Sequence, residues 1–310
     1  MSKKVVVLIY QIAMNIPASY LERISAVYPN ISFDHLEFNQ DGMVNDVIII
    51  NQELVCRFVK QNWGQKILAR ETKTLEIVRR YVDIQVPELE HLDENFITYR
   101  YITGQPLSRN TLLKLSSTAQ ERVIARLALF HNQLHSIPID CLHEANLSAS
   151  DTNRTSEDWL QLYEQVQENL FPYLWQHQKT WIHELFSPIV SGELDLNYTP
   201  VLIHGDLAPY HILFEPLSES IAGVIDFGTS GIGDPACDLA VLISNYGESI
   251  VKCMKSNYPL SLDVIDRARF WSGTIELQWA NYAVKNQDIS LSLAHIGLAR
   301  DTQILGTKLS

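Results

Sequence analysis

The stretch VLIHGDLAPYHILFEP (residues 201–216), followed closely by IAGVIDFGTSGIGDP (residues 221–235), decides how this chain is read. Each segment opens on a short apolar run and then breaks into a polar loop punctuated by Gly or Pro. The implied local structure is two short buried strands, each delivering a polar loop from its end. Loops held on such a rigid frame are where chemistry is commonly placed.

The loops carry a specific pattern. In kinase-type phosphoryl transfer, one Asp orients the attacking hydroxyl and accepts its proton, a residue five positions later binds metal, and the Asp of a DFG triplet binds metal beside it. Asp206, His211 and Asp226 stand at those three places, with HGDLAPYH where protein kinases have HRDxxxxN. Either motif alone would say little. Both in order, twenty residues apart and in strand–loop contexts, are specific; the competing reading is two polar loops with capping aspartates.

Upstream, residues 18–28 read as a helix and residues 31–60 as two or three strands, with a hairpin signal at Asn51-Gln52. From residue 64 the period changes. Ile67, Leu68, Glu71, Leu75, Val78 and Val82 recur at three and four, one face of a helix over 64–82 that Pro87 stops. The segment NFITYRYITG (95–104) alternates as a strand, and Gly104-Gln105-Pro106 marks a hinge. Beyond it the pattern is mostly helical: a helix over 118–137 closing before Pro138, one or two over 156–187, and more after Asp238. His131 and His135, spaced by four on the first of these, lack a third ligand for zinc and read as core or interface histidines.

Charge and cysteines bound the function. The net charge is −12, and residues 106–310 hold 23 Asp and Glu against 13 Lys and Arg. Such a chain is repelled by a nucleic-acid backbone or an anionic membrane, so neither is expected as a partner; a cationic ligand is permitted, as is a merely solvated acidic surface. Cys56, Cys141, Cys237 and Cys253 follow no zinc or disulfide spacing, which fits a cytoplasmic protein with reduced thiols. The opening MSKKVVVLIYQ resembles a signal peptide but is interrupted by Gln11 and lacks a cleavage site, so it reads as a buried strand. No apolar run reaches the length of a transmembrane helix.

HGDLAPYHILF, GVIDFG and IGDPACDLA together resemble the aminoglycoside phosphotransferases, over roughly residues 20–300. His at the metal position is closer to the 2''-phosphotransferases and macrolide kinases than to the 3' enzymes. The resemblance implies a two-lobed α+β protein-kinase-like fold: an antiparallel-sheet, nucleotide-binding lobe over 1–105 and a larger helical lobe for catalysis and acceptor binding over 106–310. It also implies a donor nucleotide, ATP or GTP, with Mg²⁺ held by His211 and Asp226, Asp206 as catalytic base, and a small-molecule hydroxyl acceptor.

Further residues are carried over by the same resemblance. Arg57 stands where a Lys usually neutralises the nucleotide phosphates, with Glu71 fourteen residues later as its partner and Lys60 as the alternative cation. Arg forks bidentately where Lys is a point charge, so the geometry there differs. Residues 41–45 would cover the nucleotide, and Tyr99, Arg100 and Ile102 would form the hinge against the purine. Asp234 and Asp238 match acids that brace the catalytic loop, and Asp238 is also placed to cap a helix. The short interval from Gly228 to Asp234 leaves no room for a phosphorylatable activation loop, which favours a small acceptor. Trp271, Glu276 and Trp279 lie on a late helix where relatives bind acceptor, though an ordinary packing face reads equally well. In the 2'' enzymes, acids beyond the position of Asp238 hold the cationic drug; here residues 243–248 retain only Glu248. Aminoglycosides are therefore expected to be poor acceptors. The alternatives are a metabolite kinase of the same fold, acting on an amino sugar, a homoserine-like compound or a macrolide, and a nucleotide-binding protein without turnover.

Overall fold

Among the described residues, five strands and two helices precede the hinge. In the computed structural model, which describes residues 15–42 and 44–287, the chain begins with α1 (Ala18–Val27), β1 (Leu36–Asn39), β2 (Asn45–Ile50), β3 (Leu54–Val59), α2 (Gly64–Val78), β4 (Leu89–Leu92) and β5 (Phe96–Arg100). The opening apolar run and Met43 lie outside the described residues. The strands form one antiparallel sheet in the order β1-β2-β3-β5-β4. Between β2 and β3, Asn51 and Gln52 both take a φ of 55°, the left-handed geometry a tight hairpin requires. Asn51 tolerates it because its side chain accepts the backbone N–H groups of Asp34 and His35 at 3.1 and 2.9 Å.

Strand β3 is buried on both faces, and its period of two decides what each face does. Cys56 and Phe58 enter a core with Leu21, Ile24, Ile48 and Phe96, where the Phe58 ring stacks between Tyr20 at 4.0 Å and Phe96 at 4.4 Å. Val55 and Arg57 alternate with them, and Val55 packs on Leu68 of α2. Helix α2 ends at Val78 rather than 82. Arg80 and Tyr81 instead bond back three residues, to Ile77 and Val78, which tightens the last turn.

After β5, β6 (Gln105–Pro106) pairs with a strand far along the chain, so the polypeptide leaving the sheet is stitched at once to the helical part. There follow α3 (Arg109–Lys114), α4 (Ser117–His135), α5 (Ile139–Glu144), α6 (Ser156–Asn169), α7 (Gln176–Val190), β7 (Val201–Ile203), β8 (Ile212–Glu215), β9 (Ser220–Val224), β10 (Gly231–Gly233), α8 (Ala236–Tyr246), α9 (Glu248–Cys253) and α10 (Leu262–Lys285). Thr155 and Asp158 close a capping box on α6, and a 3₁₀ turn containing Pro172 separates it from α7. Gly247, at φ 92°, ends α8. A single large core, including Leu127, Phe130, Trp159, Phe186, Phe227 and Leu239, runs through this part and reaches Leu75 and Val78 of α2. The architecture is α+β, an antiparallel-sheet lobe and a helical lobe. Among the described residues no helix is long and apolar enough to cross a membrane.

Candidate active site

Strands β7 and β10 pair antiparallel, Ile203 opposite Gly231, and residues 204–208 leave the end of β7. Gly205 turns with φ 84°, where a Cβ would sit 3.0 Å from both the Thr152 hydroxyl and the Thr229 carbonyl, so glycine is required. The loop is held from behind by Asp238, in the first turn of α8 and wholly buried. Its Oδ1 accepts the Gly205 N–H at 2.8 Å and its Oδ2 the His204 N–H at 2.9 Å. His135 Nε2 lies 3.0 Å from the same Oδ2, and its Nδ1 shares a 2.7 Å hydrogen bond with Tyr258. Burial opposes ionisation of Asp238, but the hydrogen bond and charge of His135 outweigh it and hold the carboxyl well below the usual carboxylate range.

His204 ties the two loops together. Its Nε2–H donates to the Ile225 carbonyl at 3.1 Å, its Nδ1 accepts from the Asp206 N–H at 3.3 Å, and burial pulls its pKa down to about 4, so it remains neutral. Strands β8 and β9 form a hairpin that sets Ile212 opposite Val224, and the Ile225 N–H donates to the His211 carbonyl at 3.0 Å. That pairing brings His211, on a 3₁₀ turn over Pro209–His211, beside Asp226. His211 Nδ1–H donates to the Asp206 carbonyl at 2.7 Å, which turns Nε2 toward Asp226 Oδ2, 3.3 Å away. Burial lowers the His211 pKa, but the hydrogen bond and charge of Asp226 prevail and raise it.

Asp226 adopts φ 64°, a strained conformation for a residue with a side chain and one found repeatedly at functional sites. Burial works against its charge, yet His211 and then Arg57 depress its pKa strongly. Arg57 Nη2 lies 3.9 Å from Asp226 Oδ1, and Nη1 donates to Glu71 Oε1 at 2.6 Å. Arg57 and Glu71 are both buried. The result is a continuous chain of contacts: Glu71, Arg57, Asp226, His211, Asp206. At its open end the Asp206 carboxyl is 41% exposed, with His211 Nδ1, at 3.8 Å, as its only side-chain ion partner among the described residues. Burial raises its pKa; His211 opposes this, while Asp226 and Asp238 add to it.

Several expected residues are placed differently. Lys60 does not reach Glu71: its ammonium binds the carbonyls of Gln40 and Gly42, the latter at 2.6 Å, and lies 3.4 Å from Asp46. It therefore ties down the 40–42 loop, while the buried Arg57 pairs with Glu71 and faces Asp226. Among the described residues, Asp234 makes no hydrogen bond or ion pair to the catalytic loop. It takes a bidentate bond from the buried Arg267, at 2.7 and 3.1 Å, and accepts the Ala236 N–H at 2.9 Å just ahead of α8, whose N-cap is Pro235; Asp238 does not cap the helix. Trp271 is buried edge-on against Trp159 at 5.1 Å, whereas Glu276 and Trp279 are exposed, so these three do not form one ligand-facing surface. Glu248 is engaged by Arg269 at 2.6 and 3.0 Å and by Lys252 at 2.7 Å. In the hinge, Tyr99 is buried and its pKa is pushed up to about 12 by burial, against the opposing charge of Arg57. The Arg100 side chain is exposed on Glu90, and Ile102 packs against Gly223. Arg70 was not singled out from sequence; from α2 it binds Asp151 at 2.7 Å and the Gly228 carbonyl at 2.5 Å, joining the helix of Glu71 to the loop of Asp226.

Comparison with known proteins gives the arrangement relatives. Residues 35–252 match the family described as "APH: Phosphotransferase enzyme family". Viomycin phosphotransferase of Streptomyces vinaceus is 29% identical over 130 residues, 37% of this chain and 45% of that protein, so the match spans less than half of the relative's length. Among solved structures, the GDP complex of wild-type aminoglycoside 2'-phosphotransferase-IIIa superposes with a TM-score of 0.79 at 25% identity, covering 88% of this chain and 93% of that one. A GDP and kanamycin complex of APH(2'')-IIIa gives 0.78 at 26%, covering 89% and 95%. A macrolide 2'-phosphotransferase type I shares the fold at 0.71 and 15% identity, covering 92% and 99%.

Proposed function

We propose, on the premise that this chain belongs to the APH phosphotransferase enzyme family, that it is a small-molecule kinase moving the γ-phosphate of ATP or GTP onto a hydroxyl group. The observation that carries this reading is the unbroken series of contacts Glu71–Arg57–Asp226–His211–Asp206. Phosphoryl transfer asks mainly for positioning and charge neutralisation, and the series supplies both. Arg57, fixed by Glu71, presents positive charge to the nucleotide phosphates. Asp206 stands half-buried at the far end, where it aligns the acceptor hydroxyl and receives its proton. The reading of a nucleotide-binding protein without turnover loses its main support, because Arg57 keeps the ion pair with Glu71 that the usual Lys would make.

His211 Nε2 and Asp226 Oδ2 face each other at 3.3 Å and, once a cation displaces the Nε2 proton, would offer it a nitrogen and a carboxylate oxygen. Among the described residues no three His, Cys, Asp or Glu side chains gather into a metal cluster, which suits Mg²⁺ held by few protein ligands plus phosphate oxygens and water. When bound, Mg²⁺ supplies charge to the β- and γ-phosphate oxygens. The Nδ1–H bond to the Asp206 carbonyl holds the His211 ring in orientation, as a partner behind a metal-binding histidine commonly does.

We place the lobe boundary at the hinge, residues 1–105 binding nucleotide with Tyr99, Arg100 and Ile102 against the base, and residues 106–310 carrying catalysis and the acceptor. The free thiols and the net charge of −12 fit a cytoplasmic enzyme without nucleic-acid or membrane partners. Relatives are named for viomycin, aminoglycoside and macrolide acceptors, and an antibiotic-like or metabolite hydroxyl is proposed here. A screen of hydroxylated compounds with Mg-ATP and Mg-GTP, read by phosphorus NMR, tests the reading. A new phosphate ester is expected with at least one acceptor; nucleotide binding with neither ester nor hydrolysis would sink it.

A further inference from the structure

A second opening, about 600 Å³, lies among the end of α4, the approach to β7 and the start of α10, and shares no lining residue with the series from Glu71 to Asp206. One wall is Arg267, 3% exposed. Its Nε and Nη2 are committed to Asp234, but the buried Nη1 has no hydrogen-bond partner among the described residues. The Asp263 carboxylate is 3.8 Å away, too far for a hydrogen bond, and its side chain is 64% exposed. A buried guanidinium N–H without an acceptor is costly and invites one.

A single hydroxyl meets both needs, accepting from Arg267 Nη1 and donating to Asp263. Tyr198, Tyr258, Pro259 and Val264 offer the apolar surface that a carbon skeleton needs beside it. An anion is disfavoured, because Asp234 already balances the Arg267 charge and Asp263 is a further carboxylate on the opening. The site is also connected to the catalytic loop. Tyr258 bonds His135, His135 bonds Asp238, and Asp238 holds the His204 and Gly205 N–H groups.

From these observations we propose that this opening is a binding site for a neutral polyhydroxylated small molecule, distinct from the phosphoryl-transfer cleft and coupled to its catalytic loop through Tyr258, His135 and Asp238. The site stands independently of whether the chain turns over nucleotide. Its test is a titration of the full chain with myo-inositol, followed by amide NMR. Saturable shifts of the Asn197, Ser261 and Gly205 amides are expected, with half-saturation in the millimolar range. Gluconate, the anionic probe, should bind at least about tenfold more weakly, and Asp263→Leu should weaken inositol binding by about tenfold, while Asp263→Asn, which keeps an acceptor oxygen, should bind more tightly than Asp263→Leu. Asp263 is exposed, so a thermal melt at the wild-type temperature serves as the folding control. Absence of saturable shifts, equal binding of gluconate, or inositol binding undiminished in Asp263→Leu would overturn the proposal; the last would assign the response to the acceptor cleft.

Discussion

Replacing Asp238 by Asn tests how the catalytic loop is held. The carboxylate accepts the Gly205 and His204 N–H groups at 2.8 and 2.9 Å and lies 3.0 Å from His135 Nε2, with none of its surface exposed. An amide can keep one oxygen contact, but its NH₂ must then face a backbone donor. One buried N–H is left unsatisfied, at about 1–3 kcal/mol, and the retained bond changes from charged to neutral, losing about 1 kcal/mol more. With the His135 contact weakened, a loss of about 3–5 kcal/mol is expected, a large part of a typical domain's stability. Urea unfolding measures it, and hydrogen exchange at the Gly205 amide locates it. The pH dependence has a defined sign. The folded pKa of Asp238 is depressed, so its stabilisation is fully present above the unfolded carboxyl value of about 4 and fades as pH falls below it. Asp238→Asn should therefore lose less stability than wild type on acidification below about pH 4. A loss under about 1 kcal/mol, with Gly205 protection unchanged, would refute the brace.

Three other outcomes are expected. Arg57→Lys keeps the charge but loses the fork between Glu71 and Asp226, so kcat/KM for nucleotide should fall about 10–100-fold in steady-state assays; an unchanged value would mean the guanidinium geometry is immaterial. Asp226→Ala should abolish Mg²⁺-dependent nucleotide binding by calorimetry, whereas His211→Asn, which supplies a hard amide oxygen, should be the milder change; the reverse order would unseat their assigned roles. Kanamycin should be a poor acceptor, with half-saturation above about 1 mM, because Glu248 is already paired with Arg269 and Lys252. Micromolar half-saturation with turnover near about one per second would contradict this.

The parts legible in the sequence are those fixed by short-range pattern. Asp206, His211 and Asp226 could be placed because each belongs to a strand–loop motif whose hairpin brings the ends together. Arg57 and Glu71 were legible only through the family resemblance, and the structure sets the two side chains 2.6 Å apart between β3 and α2. What was not legible depends on partners far along the chain. Asp234 and Asp238 stand four apart in one motif, and only the positions of Arg267 and His135 divide the arginine's partner from the loop brace. Arg70 looks like any surface arginine until the fold sets Asp151 and Gly228 against it. Trp271 and Trp279 share a helix, but neighbours such as Trp159, on another helix, bury one and not the other. The short helices α3 and α5 are too brief to show a period.

The most direct test of the central claim is Asp206→Asn, measured for nucleotide affinity and for turnover on the same preparation. The half-buried carboxyl has His211 as an ion partner at 3.8 Å, and the His211 and Asp226 atoms proposed to hold Mg²⁺ remain in place. Affinity for Mg-nucleotide should stay within about threefold of wild type, while phosphoryl transfer falls by about two to four orders of magnitude, the usual contribution of a positioned acid–base group. Turnover that survives the substitution, or affinity that falls as far as turnover, would contradict the account.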